Sequence, residues 1–367
     1  MRNRIKILLV SGSFPPIKCG VGDYTYIVAS ELSAMPELEI GVLTSAGTND
    51  CHGIQVYKNA GSWRWRDLNH ILAAVRQFSP DIIHIQYPTA GYGRHKMPVF
   101  LPCILRNSGF SIVQTWHEVI RGARCLRYLP AAICQDAITV IEPDYEFQTP
   151  NWFWKLATRR YLKRIPIGSN IPAAELTASE RELLRRKLSG GQERLLSYFG
   201  FAAPPKAVEL LFSIADPKRD HLLLVCELNP EDSYHSTLLE IAQSLQWRGK
   251  VTITGYQGHQ RAAELLAAAD AAIFPFRDGA TRRNASIMAA AMQGTFVVTT
   301  STTRSGYIPG EHASFVAPGD IEGIRAALEA HSGERAATPS LLAGDWKLIA
   351  ADHLRLYQEI LRKKPTC

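Results

Sequence analysis

Apolar residues along the chain come in short runs separated by amphipathic stretches. Ile5 to Val10, Glu39 to Leu43, Asp81 to Gln86, Ser111 to Gln114 and Ala137 to Ile141 are bounded by Gly, Pro, Asn or Ser and read as buried strands. Between them, Tyr24 to Ser33 and Leu68 to Phe78 carry apolar residues at helical spacing. Strand and helix in alternation predict a parallel sheet with helices on both faces. The rhythm restarts with Arg194 to Phe199, Leu222 to Cys226, Val251 to Ile253, Ala271 to Phe274 and Phe296 to Thr300. Two similar α/β halves therefore follow one another.

Ile165-Pro-Ile-Gly-Ser-Asn-Ile-Pro172 punctuates the chain between the halves, so one domain is expected over 1–168 and a second over 169–345. The remaining segment, 346–367, has a helical period from Trp346 to Arg362, with apolar Leu348, Ile349, Leu354, Tyr357 and Leu361 and no following strand to cover. Ligands of open parallel sheets bind beyond the carboxyl ends of the strands. Two such domains facing each other would enclose a cleft.

Composition narrows the classes. The 367 residues are 46% hydrophobic and 20% charged, which excludes an intrinsically disordered chain. No apolar run approaches the roughly 18 residues of a membrane span, and the N-terminus passes directly from charge into a strand-like run, so neither an anchor nor a signal peptide is expected. Seven cysteines at irregular spacing, without a Cys-x-x-Cys pair, argue against a zinc ribbon or dithiol motif and lead us to expect reduced thiols in the cytoplasm. A net charge of +7 and a pI near 9.0 call for an anionic partner. Nucleic acid, an acidic lipid surface and a phosphorylated substrate all satisfy that demand.

Four short constellations carry chemistry. After the first strand, Gly20 and Gly22 sit where a helix begins, and their backbone N–H groups suit a phosphate or sugar oxygen as well as they suit a plain tight turn. The spacing is not Gly-x-Gly-x-x-Gly, which disfavours a dinucleotide. Thr115-Trp-His-Glu118 places His117 just past a strand, where it can donate to a substrate or be a packed loop residue; no Gly-x-Ser-x-Gly elbow accompanies it. Gly200-Phe-Ala-Ala-Pro-Pro-Lys206 delivers Lys206 to the top of the second sheet, where a lysine serves as a point charge for phosphate. Arg282, Arg283 and Ser286 gather before the helical run Ile287 to Met292, at the positive end of its dipole. Together these elements suggest a diphosphate site.

With these motifs in place the chain resembles the GT-B glycosyltransferases, and family 4 in particular. The resemblance rests on Phe-Pro-Pro…Gly-Val-Gly, His-Ile-Gln-Tyr, Thr-Trp-His, Ile-Gly-Ser-Asn, the Gly…Lys loop and Phe-Pro-Phe…Gly-Thr-Phe-Val-Val-Thr-Thr, in order over nearly the whole chain. It implies two Rossmann-like doubly wound domains facing a central cleft, with the C-terminal helix crossing back to the first. It implies a hexosyltransferase that retains anomeric configuration, with UDP-sugars favoured over GDP-sugars as donor. By resemblance, Gly20 and Gly22 lie beside the donor phosphates and Asp23, Tyr24, Gln86 and Tyr87 beside the acceptor. His117 contacts the transferred sugar, while Gly200 and Lys206 meet the pyrophosphate. Tyr256 packs on the base, and Asp278 and Gly279 reach sugar hydroxyls.

Two departures stand out. Phe201 and Ala202 occupy the loop where the family commonly has an arginine, and Thr281 and Ala289 stand where it has two glutamates. Arg282 or Arg283 would then supply the missing cation. No Asp-x-Asp occurs, so no metal or other cofactor is expected. Ser62-Trp-Arg-Trp-Arg66 and Asn151 to Arg164 interleave aromatic and basic residues. A helix there would align Trp154, Ala157, Tyr161 and Ile165 beside Lys155, Arg159 and Lys163, which fits either anionic lipid headgroups or a core-facing stripe with a solvated basic face. The expected protein is cytoplasmic, either free or peripheral at the inner membrane face, with a lipid-linked molecule, a glycan or a natural product as acceptor and no nucleic-acid partner. A non-catalytic GT-B binding protein and a nucleotide-sugar epimerase are the alternatives.

Overall fold

The computed structural model describes residues 4–363 except 46, 47, 49–52, 59, 60, 142–144, 158–160, 282, 337–339, 341 and 342, and without the side chains of 146 and 147. The chain divides into two compact units, Met1–Ile167 with Asp345–Cys367, and Gly168–Gly344. The expected boundaries at 168/169 and 345/346 lie one residue away.

Unit 1 runs β1 (Ile5–Val10), α1 (Gly20–Ser33), β2 (Leu38–Leu43), β3 (Gln55–Tyr57), α2 (Leu68–Phe78), β4 (Ile82–Tyr87), α3 (Met97–Asn107), β5 (Ser111–Trp116), α4 (Arg124–Ile133), β6 (Ala137–Val140), α5 (Tyr145–Gln148), α6 (Asn151–Ala157) and β7 (Leu162–Arg164). Its strands pair in parallel in the order β3-β2-β1-β4-β5-β6-β7. The winding reverses between β1 and β4, the switch point at which such sheets place ligands. β4 and β5 are buried at every residue, as central strands covered on both faces must be. Gly41 of β2 has a packing reason: a Cβ there would stand 2.9 Å from the Phe78 ring of α2.

Unit 2 runs α7 (Ala178–Ser189), β8 (Arg194–Phe199), α8 (Leu211–Ile214), β9 (Asp220–Val225), α9 (Ser233–Gln243), β10 (Val251–Ile253), α10 (His259–Ala268), β11 (Ala271–Phe274), α11 (Ala285–Met292), β12 (Phe296–Thr300), β13 (Gly306–Ile308), β14 (Ala313–Val316) and α12 (Ile321–His331). The order β10-β9-β8-β11-β12-β14-β13 repeats the first pattern, with the edge strand β13 antiparallel. Side chains set the starts of several helices. Thr177 and Glu180 form a reciprocal capping box on α7, Asp232 accepts from two N–H groups of α9, and Asp320 accepts from Gly323.

The last helix, α13 (Trp346–Lys363), belongs to unit 1 and packs on α1. Ile349, Ala350, Leu356, Tyr357 and Ile360 share a core with Tyr24, Val28 and Leu32. The expected apolar stripe is partly displaced, since Leu348 is 65% exposed and buried His353 takes a place in the contact.

Three further expectations change. The basic aromatic segment is not one helix: α6 ends at Ala157, and Leu162–Arg164 is the edge strand β7. Phe153 stacks on Trp116 and Trp154 on Tyr145, so much of the aromatic stripe faces the core. Trp63 is likewise wholly buried, whereas Trp65 is exposed against Phe100. Finally, Cys103 of α3 and Cys134 at the end of α4 form a disulfide, their Cα atoms 4.8 Å apart, because the two helices pack side by side. Cys19, Cys125 and Cys226 are free thiols, and Cys51 and Cys367 lie outside the described residues.

Candidate active site

In unit 1 the loops after β1, β4 and β5 meet at the carboxyl edge of the sheet. α1 begins at Gly20 with no side-chain cap from Cys19, leaving its first N–H groups to other partners. A Cβ on Gly22 would lie a tight 3.2 Å from the Ser13 carbonyl, whereas Gly20 faces open space. Gly12 and Gly91 cross so closely that a Cβ on Gly91 would overlap the Gly12 backbone. That crossing locks the β1 and β4 loops together.

His117 leaves β5 with its N–H donating to the Tyr87 carbonyl at 2.8 Å. Its Nε2 is 2.8 Å from Gln86 Oε1, and Tyr24 meets its ring edge-on with centroids 4.8 Å apart. Gln86 Nε2 and the Tyr87 hydroxyl are buried and find no hydrogen-bond partner among the described residues. A buried donor without a partner is costly, and a polar ligand at this edge would satisfy it. Asp23 stands in the first turn of α1. Tyr24, expected at the acceptor, is only 4% exposed and turns its hydroxyl inward, 2.8 Å from His353 Nε2.

In unit 2 the loops after β8 and β11 converge. Gly200 takes φ +123, a conformation open to glycine, and faces Ser286 in the first turn of α11; the Ser286 Cβ would stand 3.5 Å from a Cβ placed on Gly200. Pro204–Lys206 form a single tight turn that ends in left-handed Ala207. Lys206 Nζ sits 4.0 Å from the centre of the Phe276 ring. Burial, and next the charge of Arg283, hold the Lys206 ammonium below the usual lysine range. Lys206 thus lies within the electrostatic reach of Arg283, which immediately precedes Asn284, the N-cap of α11, and the Asn284 side chain makes no capping bond.

Asp278 is exposed on the β11 loop. Gly279 takes φ +78, and a Cβ there would lie 3.3 Å from the Ser301 and Thr302 backbone. Tyr256 is 56% exposed at the carboxyl end of edge strand β10. Gly200, Lys206, Arg283 and Ser286 are therefore brought together, while Tyr256 stands two strands away from β8 on the same edge. Arg282 lies outside the described residues. Of the two positions that the resemblance marks for glutamates, Thr281 bonds to Asn284 Oδ1, and Ala289 is wholly buried in α11.

The lysine turn is held by a clamp that the sequence does not display. The Arg277 backbone N–H donates to Pro205 O and its Nε to Pro204 O, each at 3.0 Å. Its Nη2 pairs with Glu209, which also accepts from the Tyr234 hydroxyl. An arginine beside an Asp-Gly turn gave no signal that it reaches a loop some 70 residues earlier. Gly12 and Gly91 were also missed, for the same reason of long-range contact.

Residues 193–331 match the family model described as glycosyl transferases group 1. The matched stretch runs through unit 2 from β8 to α12. The fold is GT-B, two Rossmann-like α/β units of repeated strand order. A sucrose-phosphate synthase from Thermosynechococcus elongatus superimposes with a TM-score of 0.75 at 17% identity, over 98% of this chain and 100% of that one. HepE from Anabaena, in complex with UDP and glucose, does so at 0.67 and 15%, over 98% and 99%. The catalytic domain of starch synthase IV from Arabidopsis thaliana, bound to ADP and acarbose, gives 0.69 and 13%, over 98% and 100%. No curated protein matches the sequence. In this GT-B protein no helix among the described residues is long and apolar enough to cross a membrane.

Proposed function

We propose that this GT-B protein is a retaining glycosyltransferase that moves a sugar from a nucleotide diphosphate to an acceptor hydroxyl. The observation that carries the reading is the cation pair, Lys206 with Arg283, together with Gly200 facing Ser286 at the start of α11, where no side chain caps the helix. A diphosphate gains charge as its bond to the sugar breaks, and preorganised donors of this kind are each worth roughly 3 kcal/mol in the transition state. Here they would take the place of a metal ion, so chelators should leave turnover intact. Retention follows if the leaving phosphate accepts the acceptor's proton on the face it departs from. His117 would orient the sugar, Gln86 Nε2 and Tyr87 would reach an acceptor, and Tyr256 would pack on the base. UDP is favoured, in keeping with HepE, solved with UDP-glucose; starch synthase IV was solved with ADP. A lipid-linked acceptor on an anionic membrane surface fits the net charge of +7.

The test is thermal unfolding with UDP, GDP, ADP and dTDP and their sugar conjugates. A ligand at a hundredfold excess over its Kd adds about 2.7 kcal/mol. One base should stabilise the wild type and lose most of that effect in Lys206→Ala. No stabilisation by any of them sinks the donor reading. A second reading, a non-catalytic binding protein, is favoured by Thr281 and buried Ala289 at the usual carboxylate positions. Donor binding without transfer or slow donor hydrolysis would select it.

A further inference from the structure

Between α13 and the sheet of unit 1 lies a closed cluster of polar side chains. His84, His353 and Tyr357 have no exposed surface, Thr115 has 1% and Tyr24 has 4%. His353 Nε2 is 2.8 Å from the Tyr24 hydroxyl, and the Tyr357 hydroxyl is 2.6 Å from His84 Nδ1. His84 Nε2 continues to Thr115 Oγ1 at 2.7 Å, and Thr115 to Thr139 Oγ1 at 2.7 Å. The rings of His84 and His353 lie 5.1 Å apart.

Adhesion of a helix does not call for such a cluster. Ile349, Ala350, Leu356 and Ile360 already seal α13 to α1 and the sheet, and buried imidazoles and phenols are costly unless each is satisfied. What the polar members have in common is where they lead. Tyr24 is the residue whose ring meets His117 edge-on. His84 lies two residues before Gln86, on the same face of β4, and Gln86 holds His117 Nε2. Thr115 lies two residues before His117. The route through Tyr24 ends on the histidine ring itself, and the route through His84 ends at Thr115 of β5, two residues before it.

We propose that α13 is a working part of the site: His353, through Tyr24, and Tyr357, through His84, are positioning residues that fix the orientation of the His117 ring. This rests on the reading of His117 as a sugar contact. Loss of either link leaves the ring of His117 in place and broadens its orientation.

The test needs no substrate, so it stands apart from the transferase assay. Histidine side chains are labelled with nitrogen-15 in the full chain, and the His117 signal is assigned by its loss in His117→Ala. Tyr24→Phe removes the hydroxyl and keeps the ring; His353→Gln removes the imidazole from the other side. Tyr161→Phe is the control, because it deletes a different bond to α13, the 2.5 Å contact with Glu359, and does not touch His117. The His117 ring nitrogens should shift in the first two variants and stay put in the control. In the transfer assay, Tyr24→Phe should lower kcat about tenfold with an unchanged donor KM, and cost nothing further in the His117→Ala background. A His117 signal that ignores Tyr24→Phe and His353→Gln, or one that moves equally in Tyr161→Phe, overturns the proposal. So does a Tyr24→Phe loss that persists without His117.

Discussion

At the scale of single residues, the lysine turn shows how a functional cation is held. Lys206 ends a turn of three residues too short to fix itself, and the Arg277 guanidinium ties that turn to the β11 loop through Pro204 and Glu209. Arg277→Gln should leave the fold intact and lower kcat/KM about tenfold, or roughly 1.4 kcal/mol of transition-state stabilisation. Steady-state donor turnover reads it. A variant as active as wild type would remove Arg277 from the positioning of Lys206.

At the scale of elements, two backbones in contact set the unit 1 edge. A methyl group on Gly91 would stand 2.2 Å from the Gly12 carbonyl, so a main chain must shift to admit it. Gly91→Ala should cost about 3 kcal/mol of stability, whereas Gly20→Ala, into open space, should stay within about 0.5 kcal/mol. Urea denaturation compares them. The basic surface is also an element-scale property. Exposed Arg121, Arg124 and Arg127 lead into and line α4 next to exposed Leu126, and α4 packs on α6, where Trp152 is 46% exposed. At about 1 kcal/mol per cation near an anionic surface, replacing the three arginines with glutamine should weaken binding to phosphatidylglycerol vesicles roughly a hundredfold. Vesicle co-sedimentation that does not change would make this a solvated face.

At the scale of the whole molecule, the buried histidines link stability to pH. Burial, reinforced by Lys163 and opposed by Asp352, pulls His353 from 6.5 down to about 4. His84 is held low by burial and then by His353 and His117. Their folded values lie below their unfolded ones, so the unfolded chain binds more protons as pH falls. Stability is therefore full above about pH 6.5 and is lost progressively toward pH 4, by roughly 3 kcal/mol for His353 alone. Urea unfolding between pH 7.5 and 4.5 should show that decline, and His353→Gln should flatten part of it. Identical slopes in the two proteins would mean that His353 is not the titrating group.

The alternation of apolar runs and helical periods was enough to read two parallel α/β halves, the boundary near Gly168 and the places of His117 and Lys206 after their strands. These are local properties, set by the period of side-chain burial and by the glycines and prolines that end each run. Short edge strands such as Leu162–Arg164 escaped, because an edge buries too little to leave an apolar signature. The inward turn of Tyr24, the closed cluster under α13, the Gly12–Gly91 crossing and the Arg277 clamp belong to the tertiary structure alone. Each joins residues far apart in the chain, and hydrogen-bond partners chosen across such separations have no period for a sequence to display.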